Sequence, residues 1–137
     1  MKKMLRQIEI ASKLTNLRVI ENAIDNITAE TGISQDSYGK ILIGTLEAVN
    51  NAIVHGNKSD ENKSVVVVIN LANKNLEIEI SDEGEGFKPS DVPDPTSPEN
   101  IEALNGRGIF LMSKLADDIK FNRKGNSVKL IFKNVMS

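Results

Sequence analysis

The order of hydrophobic and polar residues along the chain predicts five strands and three helices. Residues 5–11 alternate weakly between the two kinds of residue, which is typical of a strand at the edge of a sheet. Residues 16–30 instead repeat leucine and isoleucine at helical spacing, and Gly32 follows as a stop signal. We therefore expect a strand followed by an amphipathic helix in this part of the chain.

A second helix is predicted to begin at a capping residue, either Ser34 or Asp36, and to run to about His55 before Gly56 ends it. Its large hydrophobic residues recur at intervals of four, three and four, which predicts a face buried against a sheet. The residues of this face are Leu42, Leu46, Val49 and Ile53.

Two hairpins account for the remaining strands. Residues 65–70 are largely β-branched and predict a buried strand, and residues 75–81 alternate strictly and predict its neighbour, with a turn at residues 73–75. DIKFNR and SVKLIFK, joined around Gly125, predict a second hairpin. Hairpins favour antiparallel pairing, so the expected fold class is α+β: a two-layer α/β sandwich with a mixed, mainly antiparallel sheet and the helices on one face.

Between the two hairpins, regular patterning stops from residue 82 to about residue 105. Acidic residues, glycine and serine dominate this segment, and all four prolines of the chain fall within it. A loop this long in a small domain is usually functional, often as a lid over a site. Regular spacing returns at residues 106–116, where a glycine-rich turn leads into the third predicted helix.

Composition and charge restrict the possible functions. The 137 residues suit one domain, residues 1–137, and 39% hydrophobic with 26% charged residues is typical of a globular protein. A net charge of -2 without a basic stripe disfavours direct nucleic-acid binding, and the lack of cysteine excludes disulfides and thiolate catalysis. Polar residues interrupt the N-terminal segment, and no apolar run approaches the ~20 residues of a membrane span, so we expect a cytoplasmic location without a signal peptide.

The second predicted helix carries a group of polar residues near its end. Glu47, Asn51 and His55 follow one another at intervals of four residues and share a face, with Asn50 beside them. Because each residue turns a helix by about 100°, this face lies beside the hydrophobic face rather than opposite to it. A solvated helix end is one interpretation of the pattern, and the wall of a cleft is the other.

The predicted strand that ends at residue 81 is followed by DEGEG. Asp82 is thereby placed at a strand end, with Gly84 and Gly86 after it. Asp and Gly favour turns for backbone reasons alone, so a simple acidic turn is one interpretation. In the other, the glycines let a planar ligand approach the backbone, and the carboxylate accepts a hydrogen bond from an exocyclic amino group such as that of adenine.

A third motif, GRG, leads directly into the third predicted helix. Free amides and the positive end of the dipole at a helix N-terminus favour an anion, and Arg107 adds charge between Gly106 and Gly108. The motif alone is weak, because glycine also caps and breaks helices. The sequence contains neither a P-loop nor a GxGxxG motif within a βαβ unit.

Taken in order, EAVNN, DEGEG, the proline-rich segment and GRG resemble the N-box, first glycine box, lid and second glycine box of one known fold. It is the histidine-kinase-like (Bergerat, or GHKL-type) ATP-binding fold shared by gyrase, histidine kinases and MutL, and the resemblance covers nearly the whole chain. EAVNNAIVHGN most resembles the anti-sigma-factor serine kinases of the RsbW and SpoIIAB type.

The resemblance implies an ATP-dependent protein serine kinase that uses Mg²⁺. By matching position, Glu47 would be the general base, Asn51 would bind the Mg²⁺ that bridges the ATP phosphates, and Asp82 would bind the adenine amino group. The glycine boxes would shape the adenine pocket, through Gly84 and Gly86, and close over the phosphates, through Gly106, Arg107 and Gly108.

The chain departs from the family pattern at one position of the implied site. In the family a Gly-Thr pair usually begins the last strand, and the Thr supports the adenine-binding Asp. Here Gly125 is followed by Asn126 and Ser127. The resemblance therefore implies that Ser127 supplies the hydroxyl from one residue further on.

The implied partners are a sigma factor, a STAS-type anti-sigma-factor antagonist that is phosphorylated on serine, and a second copy of the chain in a homodimer. The first helix around Arg18 and the first strand would provide the partner surface. Two alternatives remain open, namely an ATP-binding regulatory module without kinase activity and the catalytic domain of a histidine kinase. A domain that binds no nucleotide is a further alternative.

Overall fold

The computed structural model describes residues 3–84, 112–122 and 125–136. Two turns of other helical type adjoin the main helices, a 3₁₀ turn at Leu14–Asn16 and a π-helical turn at Ala52–Gly56, and residues 112–115 are also helical. The main elements are the strands β1 (Met4–Ala11), β2 (Ser64–Ala72), β3 (Asn75–Ser81), β4 (Asp118–Phe121) and β5 (Ser127–Phe132), and the helices α1 (Leu17–Thr31) and α2 (Gln35–Asn51).

The five strands form one sheet in the order β1-β2-β3-β5-β4, and each neighbouring pair among the described strands is antiparallel. The first strand lies at one edge of this sheet, as its weak alternation predicts. The two helices cover one face. The α+β architecture predicted from the sequence is therefore confirmed.

Alternation along the central strands determines which face the helices cover. The register aligns Val67 with Ile80 and Ile80 with Val128, so the buried residues of three strands form continuous rows. The other face carries polar residues such as Glu79, which pairs with Lys129. Burial of one face alone gives the sheet a single core, which lies between it and the helices.

The β2–β3 hairpin is one residue tighter than predicted. Its loop consists of Asn73 and Lys74, with φ angles of 56° and 70°. Positive φ at both central residues is the geometry of a type I′ turn, whose twist matches that of the paired strands. Asn75, which the sequence assigned to the turn, is the first residue of β3.

The boundary between the two helices follows the capping signals. Gly32 ends α1 with a left-handed φ of 83°, which glycine adopts without a steric penalty. Of the two candidate caps for α2, Ser34 is the one used, because its hydroxyl accepts a hydrogen bond of 3.2 Å from the amide of Ser37.

The two helices are also joined by a side-chain hydrogen bond near the start of α2. The hydroxyl of Tyr38 donates to the carboxylate of Asp25 on α1, at 2.5 Å. This bond, more than desolvation or charge, raises the pKa of Tyr38 above its ordinary value of 10.0, because ionising the phenol removes the donor.

We expect the pKa of this tyrosine to be measurable directly, because the chain contains one Tyr and no Trp. Alkaline titration followed by tyrosinate absorbance should give a midpoint above 10.0, and Asp25→Asn should lower it. The folded pKa exceeds the unfolded one, so the bond stabilises the fold below the unfolded pKa and is lost as pH rises through the folded pKa. Asp36→Asn is the matched control, and an equal shift in that variant would contradict the assignment to Asp25.

Most of the predicted lid lies outside the described residues, which include only its first three positions, residues 82–84. The three helices predicted from the sequence correspond to α1, α2 and, within the described part of the third, residues 112–115. Within the described part of the chain, no helix is both long and apolar enough to cross a bilayer. The predicted site residues outside the described part are Gly86, Gly106, Arg107 and Gly108.

Candidate functional site

The position of α2 on the sheet is set by small residues as well as large ones. The partly buried Leu42 and Leu46 of the predicted face lie at its margin. At Gly44, a Cβ atom would lie 3.4 Å from the ring of Phe132 on β5, so the helix approaches the sheet closely here. The buried residues of the helix and its π-helical turn are Ile41, Gly44, Thr45, Ala48, Val49, Ala52 and Ile53.

This packing fixes where the polar side of the helix points. Gly44 faces Phe132 and Leu115, and helical geometry places Glu47 about 60° and Asn51 about 20° from the direction of Gly44. Around the helix axis, the two polar residues therefore lie within about 60° of Gly44, and we call this part of α2 its polar margin. Both residues are partly buried.

The polar side chains of this margin have no internal partner among the described residues. Among the described residues, no hydrogen bond or ion pair engages the side chains of Glu47, Asn50 or Asn51. Partly buried polar groups without an internal partner bond to water, which a ligand can replace. His55 lies further along, exposed and within the π-helical turn, a local irregularity that is frequent at functional sites.

Asp82 lies against the end of this helical segment. A Cβ atom at Gly56 would be 2.3 Å from Oδ2 of Asp82, so the carboxylate occupies the space that any other side chain would fill. Oδ1 accepts a hydrogen bond of 2.8 Å from the amide of Gly84. The structure therefore brings two motifs of the sequence into contact, because the carboxylate of Asp82 packs against Gly56, the glycine that ends the helical segment.

The backbone of the DEG turn is packed as closely as its side chain. A Cβ atom at Gly84 would lie 2.1 Å from the carbonyl oxygen of Gly56, a distance that no side chain tolerates. Gly84 is buried, and no positive φ is needed to explain the glycine. The requirement is for space, and the group that needs this space is the backbone of Gly56.

Asn57 is the residue that the sequence analysis missed. Its side chain is fully buried; Nδ2 donates to Ser12 Oγ at 2.9 Å and to the carbonyl of Ser64 at 3.0 Å, and Oδ1 accepts from the amide of Glu83 at 2.8 Å. Asn after His-Gly is typical of an ordinary loop residue, and two of its three partners, Ser12 and Glu83, are distant in sequence. Its place in the quoted motif was the one available signal.

The departure from the family pattern at residues 126 and 127 has a structural counterpart. The side-chain nitrogen Nδ2 of Asn126 donates to the backbone carbonyl of Asp82 at 3.3 Å, and the backbone carbonyl of Asn126 accepts from the Asp82 amide at 2.9 Å. The hydroxyl of Ser127 lies 2.9 Å from that of Ser81. Asn126 therefore holds the backbone of Asp82, while Ser127 pairs with the neighbouring strand.

The donor set of the site suits a metal that takes few protein ligands. Among residues 3–84, 112–122 and 125–136, no three His, Cys, Asp or Glu side chains are grouped closely enough to hold a metal ion. The carboxamide of Asn51 offers one hard oxygen beside Glu47. Mg²⁺ fits this set, because it usually keeps several waters and takes one or two protein ligands together with substrate phosphates.

An α+β sandwich with a polar helix margin beside a strand-end Asp-x-Gly turn defines a nucleotide-binding domain of the histidine-kinase type. The family model for the histidine kinase-like ATPase domain matches residues 10–132, and the chain belongs to this GHKL-type family. The confirmed family is the one that EAVNN, DEGEG and GRG resemble. Its members are ATPase domains, so family membership implies that the chain binds ATP.

Proteins with similar sequences include serine-protein kinases and an anti-sigma factor. The serine-protein kinase RsbW of a Bacillus licheniformis strain is 31% identical over 87% of this chain and 80% of its own length. RsbW of Oceanobacillus iheyensis is 26% identical over 86% of this chain and 78% of its own. An anti-sigma F factor of Clostridium perfringens is 25% identical over 96% of both chains.

A solved structure shows the same fold. The structure of the RsbU and RsbW domains of a Mycobacterium tuberculosis protein matches with a TM-score of 0.69 and 17% identity over 95% of this chain. This chain spans 32% of that longer one. At this level of identity the likeness concerns the fold alone.

Proposed function

We propose that this chain is an ATP-dependent protein serine kinase that acts as an anti-sigma factor and phosphorylates a serine of an antagonist protein. Relatives named as RsbW serine-protein kinases and as anti-sigma F factors support the proposal. The observation that carries it is the seating of Asp82 on Gly56, beside a helix margin where Glu47 and Asn51 remain unpaired among the described residues.

The roles of the two ends of the site follow from their chemistry. A carboxylate only accepts hydrogen bonds, so Asp82 selects the amino group of adenine. Glu47 lies about one helical turn from Asn51, on the same side of α2. A purine held by Asp82 at the end of the helical segment therefore directs its phosphates along a wall that carries a carboxamide and a carboxylate.

Transfer needs a proton acceptor and neutralisation of charge. The serine oxygen forms a bond to the γ-phosphorus, the bond from that phosphorus to the β-phosphate oxygen breaks, and ADP leaves. Glu47 takes the serine proton. Asn51 would hold Mg²⁺, which supplies positive charge to the phosphate oxygens when bound.

A transfer assay tests the proposal. The protein is incubated with Mg²⁺, γ-labelled ATP and a STAS-type antagonist, and label on serine of the antagonist is measured. We expect label on the antagonist, none on His55, and loss of both ATP binding and transfer in Asn51→Ala. Bound ATP without any transfer would overturn the kinase proposal and favour a regulatory binding module. Label on His55 would instead indicate a histidine kinase.

The sigma factor is the second proposed partner, and a homodimer is the proposed assembly. Support for the sigma factor comes from the relatives named as anti-sigma F factors. Co-purification with an added sigma factor, in the presence and absence of ATP, checks this interaction. We expect a complex whose stability depends on the bound nucleotide.

A further inference from the structure

The buried Asn57 side chain connects three segments that are distant in the chain. It reaches the residue after β1, the first residue of β2 and the turn after β3, through Ser12, Ser64 and Glu83. Ser12 is itself buried, and its hydroxyl donates to the carbonyl of Lys63 at 2.7 Å. Every polar atom of the Asn57 side chain therefore has a partner, as a buried amide requires.

The hydrogen bond from the Glu83 amide to Asn57 also constrains the backbone of the preceding residue, Asp82. The Glu83 amide belongs to the peptide that directly follows Asp82, and the peptide that precedes Asp82 donates to Asn126. Both peptide planes beside Asp82 are thus held by side-chain or backbone partners on other segments. Two fixed planes determine the direction in which the Asp82 side chain leaves the backbone.

Asn57 also holds the end of the helical segment, against which the Asp82 carboxylate packs. Asn57 directly follows Gly56, and the Asn57 amide donates to the carbonyl of Ala52 at 2.8 Å, which closes the π-helical turn. The carboxylate of Asp82 rests on Gly56. Asn57 therefore holds both surfaces of this contact, the helix end through its backbone and the DEG turn through its side chain.

We propose that Asn57 is a positioning residue for purine selection: it keeps the Asp82 carboxylate at the place where it accepts a hydrogen bond from adenine. The inference rests on the proposed function, since it requires Asp82 to meet the purine. Guanine presents a carbonyl oxygen where adenine presents an amino group, and a carboxylate in a fixed position repels that oxygen. A carboxylate free to move discriminates less between the two bases.

The test compares affinities for ADP and GDP, measured by calorimetry with Mg²⁺ at a temperature where each variant is folded. In Asn57→Ala we expect the preference for ADP over GDP to fall by about 10- to 100-fold, the effect of losing one charge-assisted hydrogen bond. Ile20→Ala, a cavity in α1, is the control for lost stability and should leave the preference unchanged.

Each outcome decides the inference. An unchanged preference in a folded Asn57→Ala variant, or an equal loss in Ile20→Ala, would show that Asn57 acts only on stability. If Asn57→Ala does not fold, Ser12→Ala removes one acceptor of the amide, and an unchanged preference in that variant overturns the inference. A parent protein that binds ADP and GDP equally also overturns it, whereas one that binds neither nucleotide defeats the proposed function itself.

Discussion

Replacing Glu47 by Gln is expected to lower the rate of serine phosphorylation by about 10²- to 10⁴-fold, the range that general acid–base catalysis contributes. Gln has nearly the same size as Glu and still accepts hydrogen bonds, but its neutral amide cannot take the serine proton. Affinity for ATP should stay close to that of the parent protein. Single-turnover transfer of the γ-phosphate and equilibrium dialysis with ATP measure the two quantities separately.

The control for this substitution is Glu79→Gln. Glu79 lies on β3, on the face of the sheet opposite to the helices, so its replacement removes the same charge far from the helix margin. We expect transfer at the parent rate in that variant. Retained transfer in Glu47→Gln would show that another group accepts the proton, and a parallel loss of ATP affinity would place Glu47 in binding rather than in chemistry.

The local elements of the fold were largely predictable because their signals are local. Strict alternation in β3 and the β-branched run in β2 identify a hairpin, and the stop at Gly32 is a capping signal. The buried face of α2 was predicted only in part. Its pattern of large residues omits Gly44 and Ala48, which are also buried, Gly44 against Phe132 of β5.

The end of α2 shows a different limit of the sequence. The pattern predicts a continuous helix to about His55, whereas the α-helix ends at Asn51 and a π-helical turn follows. Periodicity does not distinguish the two, because five residues are too few to reveal the change from i→i+4 to i→i+5 hydrogen bonding. The turn is fixed by hydrogen bonds to residues beyond the helix, such as that from the Asn57 amide.

The candidate site was predictable as a set of residue types and not as an arrangement. Glu47, Asn51 and Asp82 were identified from their spacing and from the resemblance. The contact of Asp82 with Gly56 and the bonds of Asn57 depend on the order of strands in the sheet, which places β1, β2 and β3 side by side. Such contacts join residues far apart in sequence, and no local pattern reports them.

Replacing Gly84 by Ala is expected to have the largest effect among the small substitutions at this site. The added methyl group would lie 2.1 Å from the carbonyl oxygen of Gly56, which belongs to the backbone and has no side-chain freedom. Either the DEG turn or the helix end must move. Overpacking of this kind costs about 1–3 kcal/mol, and chemical denaturation should show a loss in that range or above it. Because Asp82 shares the turn, ATP affinity should fall by about tenfold or more, a loss of ~1.4 kcal/mol per factor of ten.

Gly39→Ala is the matched control, since it adds the same methyl group inside α2 where nothing lies within 4 Å. Alanine in a helix interior is more favourable than glycine, so that variant should gain about 0.5–1 kcal/mol and bind ATP as the parent does. Parent-like stability and ATP affinity in Gly84→Ala would mean that the turn relaxes without moving the carboxylate. The close contact between the strand end and the helix end would then not set the geometry of the site, and the placement of adenine would have to depend on other residues.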